Sequence, residues 1–444
     1  MFDAPVAVTT VLMFATVGVA VMMGFPLAFT VGGTGLIFGL LFWGPGSLPS
    51  LWFKMYGMVT EYVLLAAPLF IFMGLMVERS GIAERLYGAL YVWFGPVRGG
   101  LAVATVLLGT LLAAAVGIIG ASVVMLGLVA TGAMVTRGYD KSLASGAVCA
   151  GGTLGILIPP SVMLVMYGPT ASISVGKLFM GAFGPGFLLS ALYVSYIVIR
   201  CGLNPKLGPP VPVEERGVPL TTKLRMLVTS IIPCLALIFS VLGVIFLGIA
   251  APTEAAAVGA LAATLLAIAY RSLTLRTLWE TALHAARVTS MALFVGIGAA
   301  MFTGVFLGLG NGAFVESVLV SVPFGRWGAF VVIMFILFIL GMFIDWLGIV
   351  FIMVPIVTPV AATLGFDPVW FAIMVCVNLQ MSFLTPPFAY ALFYLRGICR
   401  PEWGITTAHI IRGVVPFVLL IVVGLVLCIV FPDIILWLPG QMVR

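Results

Sequence analysis

The sequence predicts an all-α polytopic membrane protein of two inverted-topology repeats, each with five crossings and one re-entrant helical hairpin. Three observations lead there. Of the 444 residues, 63% are hydrophobic and only 8% charged, where a soluble protein carries about 25% charged residues. The second half slides onto the first at a single shift. The Lys and Arg residues then fall almost entirely on one side of the layout.

Composition excludes the most. A transmembrane helix takes about 20 apolar residues, so the chain has material for about ten crossings and little left for a soluble catalytic domain. The net charge of +6 comes from 20 Lys and Arg scattered singly between apolar runs. These are topology signals in a lipid bilayer, and no nucleic-acid partner is expected. The six cysteines form no C-x-x-C pair, which argues against zinc and redox chemistry. The first residues carry Asp3 and no basic stretch, so they read as a retained span and not as a cleaved leader.

A shift of 227 places Gly138-Tyr139-Asp140 on Gly365-Phe366-Asp367, Cys149 on Cys376, Pro159-Pro160 on Pro386-Pro387 and Tyr167 on Tyr394. Residues 1–200 form the first repeat, 226–444 the second, and the Pro-, Gly- and charge-rich stretch 201–225 a cytoplasmic linker. Each repeat opens with apolar spans near 5–22, 26–43 and 62–77 (227–249, 253–270 and 288–308 in the second). Next come 99–137 and 327–366, each too long for one span, with glycine or an acid at its middle, and so read as re-entrant hairpins. Broken helices follow at 141–168 and 368–396, then last spans at 176–199 and 410–431. An odd number of crossings starts the second repeat from the opposite side, so the repeats are inverted.

Orientation follows the basic residues of short loops. Sixteen of the 20 lie on one face and only Lys54, Lys177, Arg326 and Arg444 on the other. The basic face is cytoplasmic, which puts both termini and the 43–61 loop outside, in the periplasm. Segment 271–287 sets Arg276, Glu280, His284 and Arg287 on one helical face and reads as a helix lying in the interface, with His284 and His409 solvated there.

The chemistry-bearing motifs sit where the spans break. Pro159 and Pro160 release the carbonyls of Gly155 and Ile156, the glycines at 151, 152 and 155 loosen the turn before them, and Pro386 and Pro387 repeat the break after Asn378, Gln380 and Thr385. Irregular backbone at membrane depth is tolerated only inside protein or along a cavity. Freed carbonyls suit a hard cation such as Na+. One sodium site is expected from Gly117, Gly151 and Gly155 with the hydroxyls of Ser122 and Thr153. A second is expected from Asp345, Asn378, Gln380 and Thr385, since Asp345 is an intramembrane acid with no basic neighbour in sequence. Gly120, Ala121, Ser161 and Trp346, beside the starts of half-helices, are the candidate substrate contacts.

The segments Ala67-Pro68-Leu69-Phe70 through Gly74, Ser80-Gly81-Ile82-Ala83, the Gly151-to-Ser161 motif, Pro252-Thr253-Glu254-Ala255 and Thr385-Pro386-Pro387 together resemble the large membrane (M) subunit, DctM-like, of tripartite ATP-independent periplasmic (TRAP) transporters. The resemblance spans essentially the whole chain. It implies an elevator-type transporter with scaffold and transport domains in the bacterial inner membrane, driven by sodium. It also implies an organic acid substrate, a periplasmic substrate-binding protein that delivers it, and a small four-helix membrane subunit. The crossings and hairpins leave no room for that subunit, so it is expected as a separate chain. Two alternatives stand beside this: a stand-alone dicarboxylate or citrate carrier, and an intramembrane enzyme. Against the enzyme, the chain has no H-E-x-x-H or G-x-S-x-G motif and lacks a second acid at membrane depth.

The charge split yields a direct test. In a cysteine-free background, Ser50→Cys is expected to react with an impermeant thiol reagent from outside and Val213→Cys only after permeabilisation. Equal labelling from outside overturns the topology and the inverted repeat.

Overall fold

The computed structural model describes residues 5–215 and 217–442; Asp3, and the basic residues Arg216 and Arg444, lie outside the described residues. Regular structure among the described residues is helical throughout. The first half runs α1 (Val6–Met22), α2 (Leu27–Trp43), α3 (Ser47–Val59), α4 (Tyr62–Arg79) and α5 (Ile82–Phe94). It continues through α6 (Gly100–Val116), α7 (Ile119–Thr136), α8 (Lys141–Thr153), α9 (Val162–Ala171) and α10 (Val175–Leu203). The second half has α11 (Leu220–Phe246), α12 (Pro252–Ala269), α13 (Leu275–Gly308), α14 (Asn311–Val320) and α15 (Gly325–Gly341). After these come α16 (Trp346–Thr363), α17 (Pro368–Leu384), α18 (Tyr390–Ile398), α19 (Thr407–Val430) and α20 (Asp433–Gly440).

The two halves are broken at corresponding places, although α13 runs unbroken where the first half has α3 and α4, and α20 has no counterpart. Region 99–137 is the pair α6 and α7, and 327–366 the pair α15 and α16. The broken helices are α8 with α9 and α17 with α18. The loop before each broken helix is built alike: Gly138 and Gly365 both sit at φ +75, and the next-but-one residue caps the helix. Asp140 accepts from the Leu143 amide at 2.8 Å, and Asp367 from the amides of Val369 and Trp370, each at 2.9 Å. An Asp N-cap satisfies donors the helix cannot, which explains why this tripeptide recurs.

Close backbone contact holds the spans together. Gly298 of α13 lies against α2, where a Cβ would stand 2.4 Å from the Ala28 carbonyl oxygen, and a Cβ on Gly35 would meet the backbone of Phe302 at 2.8 Å. Small residues permit such crossings in a bilayer, where burial of apolar surface gives little drive. Likewise α8 crosses α19 at Gly146 and Gly413, with a Cβ on either glycine about 2 Å from a carbonyl of the other helix.

Several expectations change in the structure. The 43–61 stretch is not a loop: it folds as α3, whose Trp52, Phe53 and Tyr56 are exposed. Segment 271–287 is no separate interfacial helix, because α13 continues unbroken from Leu275 to Gly308, about 50 Å at 1.5 Å per residue. Its polar face is used in part by Glu280, paired with Arg276 at 2.7 Å and with Arg79 at 3.1 Å.

The linker is strapped to the base of the first hairpin. Gly99 donates to the Gly208 carbonyl and Val211 to that of Gly95, both at 2.8 Å. Glu215 accepts from Arg137 and from the Tyr91 hydroxyl, and these donors hold its carboxyl below the usual range.

Candidate functional site

Four helices begin at the breaks; three have no side-chain cap, and at the fourth the Asp345 carboxylate lies beside the amides of Trp346 and Leu347. The four are α7 after Ile118 (φ −136, ψ 128), α9 after Ser161 (φ −118, ψ 129), α16 after Asp345 (φ −62, ψ 156) and α18 after Ala389 (φ 44, ψ 66). The first N–H groups of any helix lack intrahelical acceptors. All four starts line one cavity of about 380 Å³, through Ile119, Gly120 and Ala121, then Val162, then Trp346 and Leu347, then Tyr390. The facing wall comes from α4 (Ile71, Leu75 and Glu78) and α13 (His284, Val288 and Met291). Ionisable lining groups are Glu78, His284, Asp345, Tyr390 and Tyr394, with no Lys or Arg. The positive charge there is that of the helix ends.

The candidate substrate contacts divide. Gly120, Ala121 and Trp346 line the cavity. Gly120 is needed there, since a Cβ would stand 3.1 Å from Cζ of Tyr394, a residue of the other repeat. Ser161 is not a lining residue: it is buried, and its hydroxyl donates to the Ile156 carbonyl that the prolines release. His284, expected solvated at the interface, is exposed and also lines the cavity, placed there by the continuous α13.

Of the first sodium set, the structure brings together Gly117, Ser122 and Gly155. Gly117 adopts φ +68, and a Cβ there would also come within 2.8 Å of the Pro160 carbonyl oxygen, so only glycine joins the hairpin tip to the break. A Cβ on Gly155 would meet the Ser122 hydroxyl at 2.6 Å, with the Ile118 carbonyl oxygen 3.8 Å away. That hydroxyl is buried and unpartnered. The Gly151 carbonyl lies instead against Gly109, and Thr153 donates to Ala150 at 2.9 Å. The glycine run thus serves close packing of α6 and α7 on α8, which stays helical to Thr153.

In the second set, Asp345 lines the cavity and lies beside the amides of Trp346 and Leu347. Asn378 donates its amide N–H to the Met334 carbonyl at 2.8 Å and Thr385 its hydroxyl to that of Met381 at 2.8 Å, and both donations leave lone pairs on the side-chain oxygen. Gln380 is fully buried with neither amide atom paired. Ser382 is not among the expected ligands. Its hydroxyl is buried and unpartnered, 2.7 Å from where a Cβ on Gly341 would stand. By the 227 shift it is the counterpart of Gly155, so each repeat sets one orphan hydroxyl against one glycine where hairpin meets break. That shift is the signal in the sequence that points to it.

Residues 12–434 match the family model described as "Tripartite ATP-independent periplasmic transporter, DctM component". The chain is 33% identical to the C4-dicarboxylate TRAP transporter large permease protein DctM of Pseudomonas aeruginosa, covering 90% of this chain and 92% of that protein. It is 28% identical to the isethionate TRAP transporter permease protein DctMQ of Oleidesulfovibrio alaskensis, over 96% of this chain and 66% of that one. The crystal structure of the YdaH transporter of Alcanivorax borkumensis shares the fold, with a TM-score of 0.64 at 16% identity over 97% of this chain and 99% of that chain.

An orphan hydroxyl in a native core is a cost that a bound ligand removes. In sodium-free detergent, Ser161→Ala is expected to lower stability by about 1 kcal/mol, and Ser122→Ala to leave it unchanged or raise it. With sodium added, the parent gains thermal stability and Ser122→Ala gains less. Equal loss in both variants without sodium, seen by thermal unfolding, means that Ser122 is bonded within the protein.

Proposed function

The chain belongs to the DctM component family of TRAP transporters, as its large membrane subunit, and from that premise we propose that it imports a small organic acid by sodium symport. The observation that carries this reading is the convergence of four helix starts, three of them uncapped, on one cavity that has no Lys or Arg. Helix N-termini are ready-made anion sites, and each contributes about 2 kcal/mol at most. Several together hold a carboxylate that a lone end would not.

Coupling follows from shared backbone. The turn at Gly117 and Ile118 and the break at Gly155 to Ser161 offer carbonyl and hydroxyl oxygens on one side and amide N–H groups on the other. Sodium on the oxygens pins hairpin tip to break, and the same act orders the amides of α7 and α9 for the carboxylate. In the second repeat Asp345, Gln380 and Ser382 take the corresponding role, and Asp345 adds a negative charge that only a cation offsets in an anion site. Hairpins and broken helices, with α10 and α19 packed on them, then move against the remaining scaffold in the manner of an elevator. A periplasmic binding protein delivers the acid, and a small membrane subunit steadies the scaffold.

The test is uptake into proteoliposomes of the large and small subunits, with the binding protein added outside and a panel of organic acids. Uptake is expected only with an inward sodium gradient and binding protein present, and sodium-independent uptake overturns the reading. Within that assay, Asp345→Asn is expected to raise the sodium half-saturation about tenfold or abolish uptake, the scale of one lost charged ligand. Thr153→Val is expected to change it less than about threefold, because a site built mainly of backbone carbonyls tolerates the loss of one neutral side chain better than a carboxylate site does. Unchanged sodium dependence in Asp345→Asn leaves the second site to backbone and neutral side chains alone.

A further inference from the structure

A second cavity, of about 860 Å³, lies along the same helices at their other ends. On α13 the first cavity takes residues from 284 to 292 and the second from 296 to 307, while on α4 the order is reversed, with Leu64 in the second and Ile71 to Glu78 in the first. The two cavities are therefore stacked across the protein, and the charge count puts the larger on the periplasmic side. Between them lies about one helical turn, sealed where Phe351 and Met58 close on Gly296: a Cβ there would meet Met58 at 2.3 Å and the Phe351 ring at 3.3 Å.

The cavities differ in charge. The larger one is lined by Lys54, whereas no Lys or Arg lines the smaller. Lys54 is among only four basic residues on the outer face, set against the bias that places Lys and Arg inside. Its stem rests on Gly304 of α13, where a Cβ would come within 2.9 Å of Cγ. Among the described residues its ammonium makes no ion pair or hydrogen bond. Glu61, in the same cavity, is two turns further along and caps the Val63 amide at 3.4 Å. Lys54 is exposed at the open cavity, with its ammonium available to a soluble anion.

Resting on the transport reading above, we propose that Lys54 is the carboxylate-receiving group of an outer vestibule, which holds the small organic acid before the Phe351 seal opens. A positive charge at the open mouth of a cleft raises the local anion concentration and the rate of capture. The cavity beyond it, lacking any fixed cation, lets the acid go once sodium leaves.

The complex of large and small subunits is reconstituted in phosphatidylcholine alone, so that no anionic headgroup competes. Lys54 is then acetylated from outside with a membrane-impermeant ester, with succinate as the probe. Succinate is expected to slow acetylation of Lys54, but not of Lys177, about fivefold relative to chloride at equal ionic strength, the scale of one exposed charge pair. In uptake, Lys54→Gln is expected to raise the half-saturation for succinate on the outer face about fivefold. The inner face is unaffected, and Lys54→Arg stays near the parent. No protection by free succinate, protection by the binding protein alone, or an equal shift on both faces overturns the proposal. A parent complex without sodium-driven uptake defeats the transport reading instead, and the acetylation result still decides the role of Lys54.

Discussion

A backbone N–H or C=O inside a bilayer has no water to turn to, and everything in this molecule is arranged around the four places where its helices start or stop at depth. An unsatisfied group costs several kcal/mol in hydrocarbon, so the breaks at Gly117, Gly155 to Ser161, Met342 to Asp345 and Thr385 to Ala389 persist only because protein surrounds them. The spans α4 and α13 wall off the cavity that these breaks line. The helices α10 and α19 cover the broken helices from behind, with Gly186 against Ile158 and Gly413 against Gly146. What remains unpaired faces inward, where a ligand of the right charge can pair it.

The repeat supplies this arrangement twice without making the copies alike. The same Gly-x-Asp turn enters both broken helices, yet the orphan hydroxyl sits on the hairpin in the first repeat (Ser122) and on the broken helix in the second (Ser382). Tyr394 reaches the cavity and packs on Gly120, while its counterpart Tyr167 is wholly buried. Charge is unequal too, since the 227 shift sets Asp345 opposite Ile118, an apolar residue. Two related cradles of different charge suit the proposed symport of cations with an anion.

Features written in local chemistry are legible in the sequence. Proline pairs mark the breaks, hairpin length and a central glycine or acid mark the re-entrant segments, and Asp345 stands out because charge is rare at depth. The 227 shift pairs the two Gly-x-Asp turns and the two proline breaks, and at these places the structure has like geometry. What cannot be read depends on which surfaces meet. Nothing near His284 or Glu78 in sequence indicates a cavity wall, because α4 and α13 make that wall only by facing the hairpin tips. The glycines at 151, 152 and 155 read as a loosened turn when taken alone. In the fold they admit Gly109, Val123 and Ser122 to contact with α8. Asn378, Thr153 and Thr385 each donate to a backbone carbonyl, Asn378 across to α15, which fixes the side chain and keeps the lone pairs of its oxygen. Helix α3 is hidden by its glycine and proline content, and only its packing beneath α13 makes it regular.

Whether an anion is held by helix starts without a basic side chain is tested most directly by an experimental structure of the sodium-loaded complex with a bromine-labelled dicarboxylate, located by anomalous scattering. The label is expected in the cavity between Gly120 and Trp346, with a carboxylate against the amides of α7 or α16. A label bound instead to an arginine or lysine, or a cavity left empty at saturating ligand, contradicts that mode of binding.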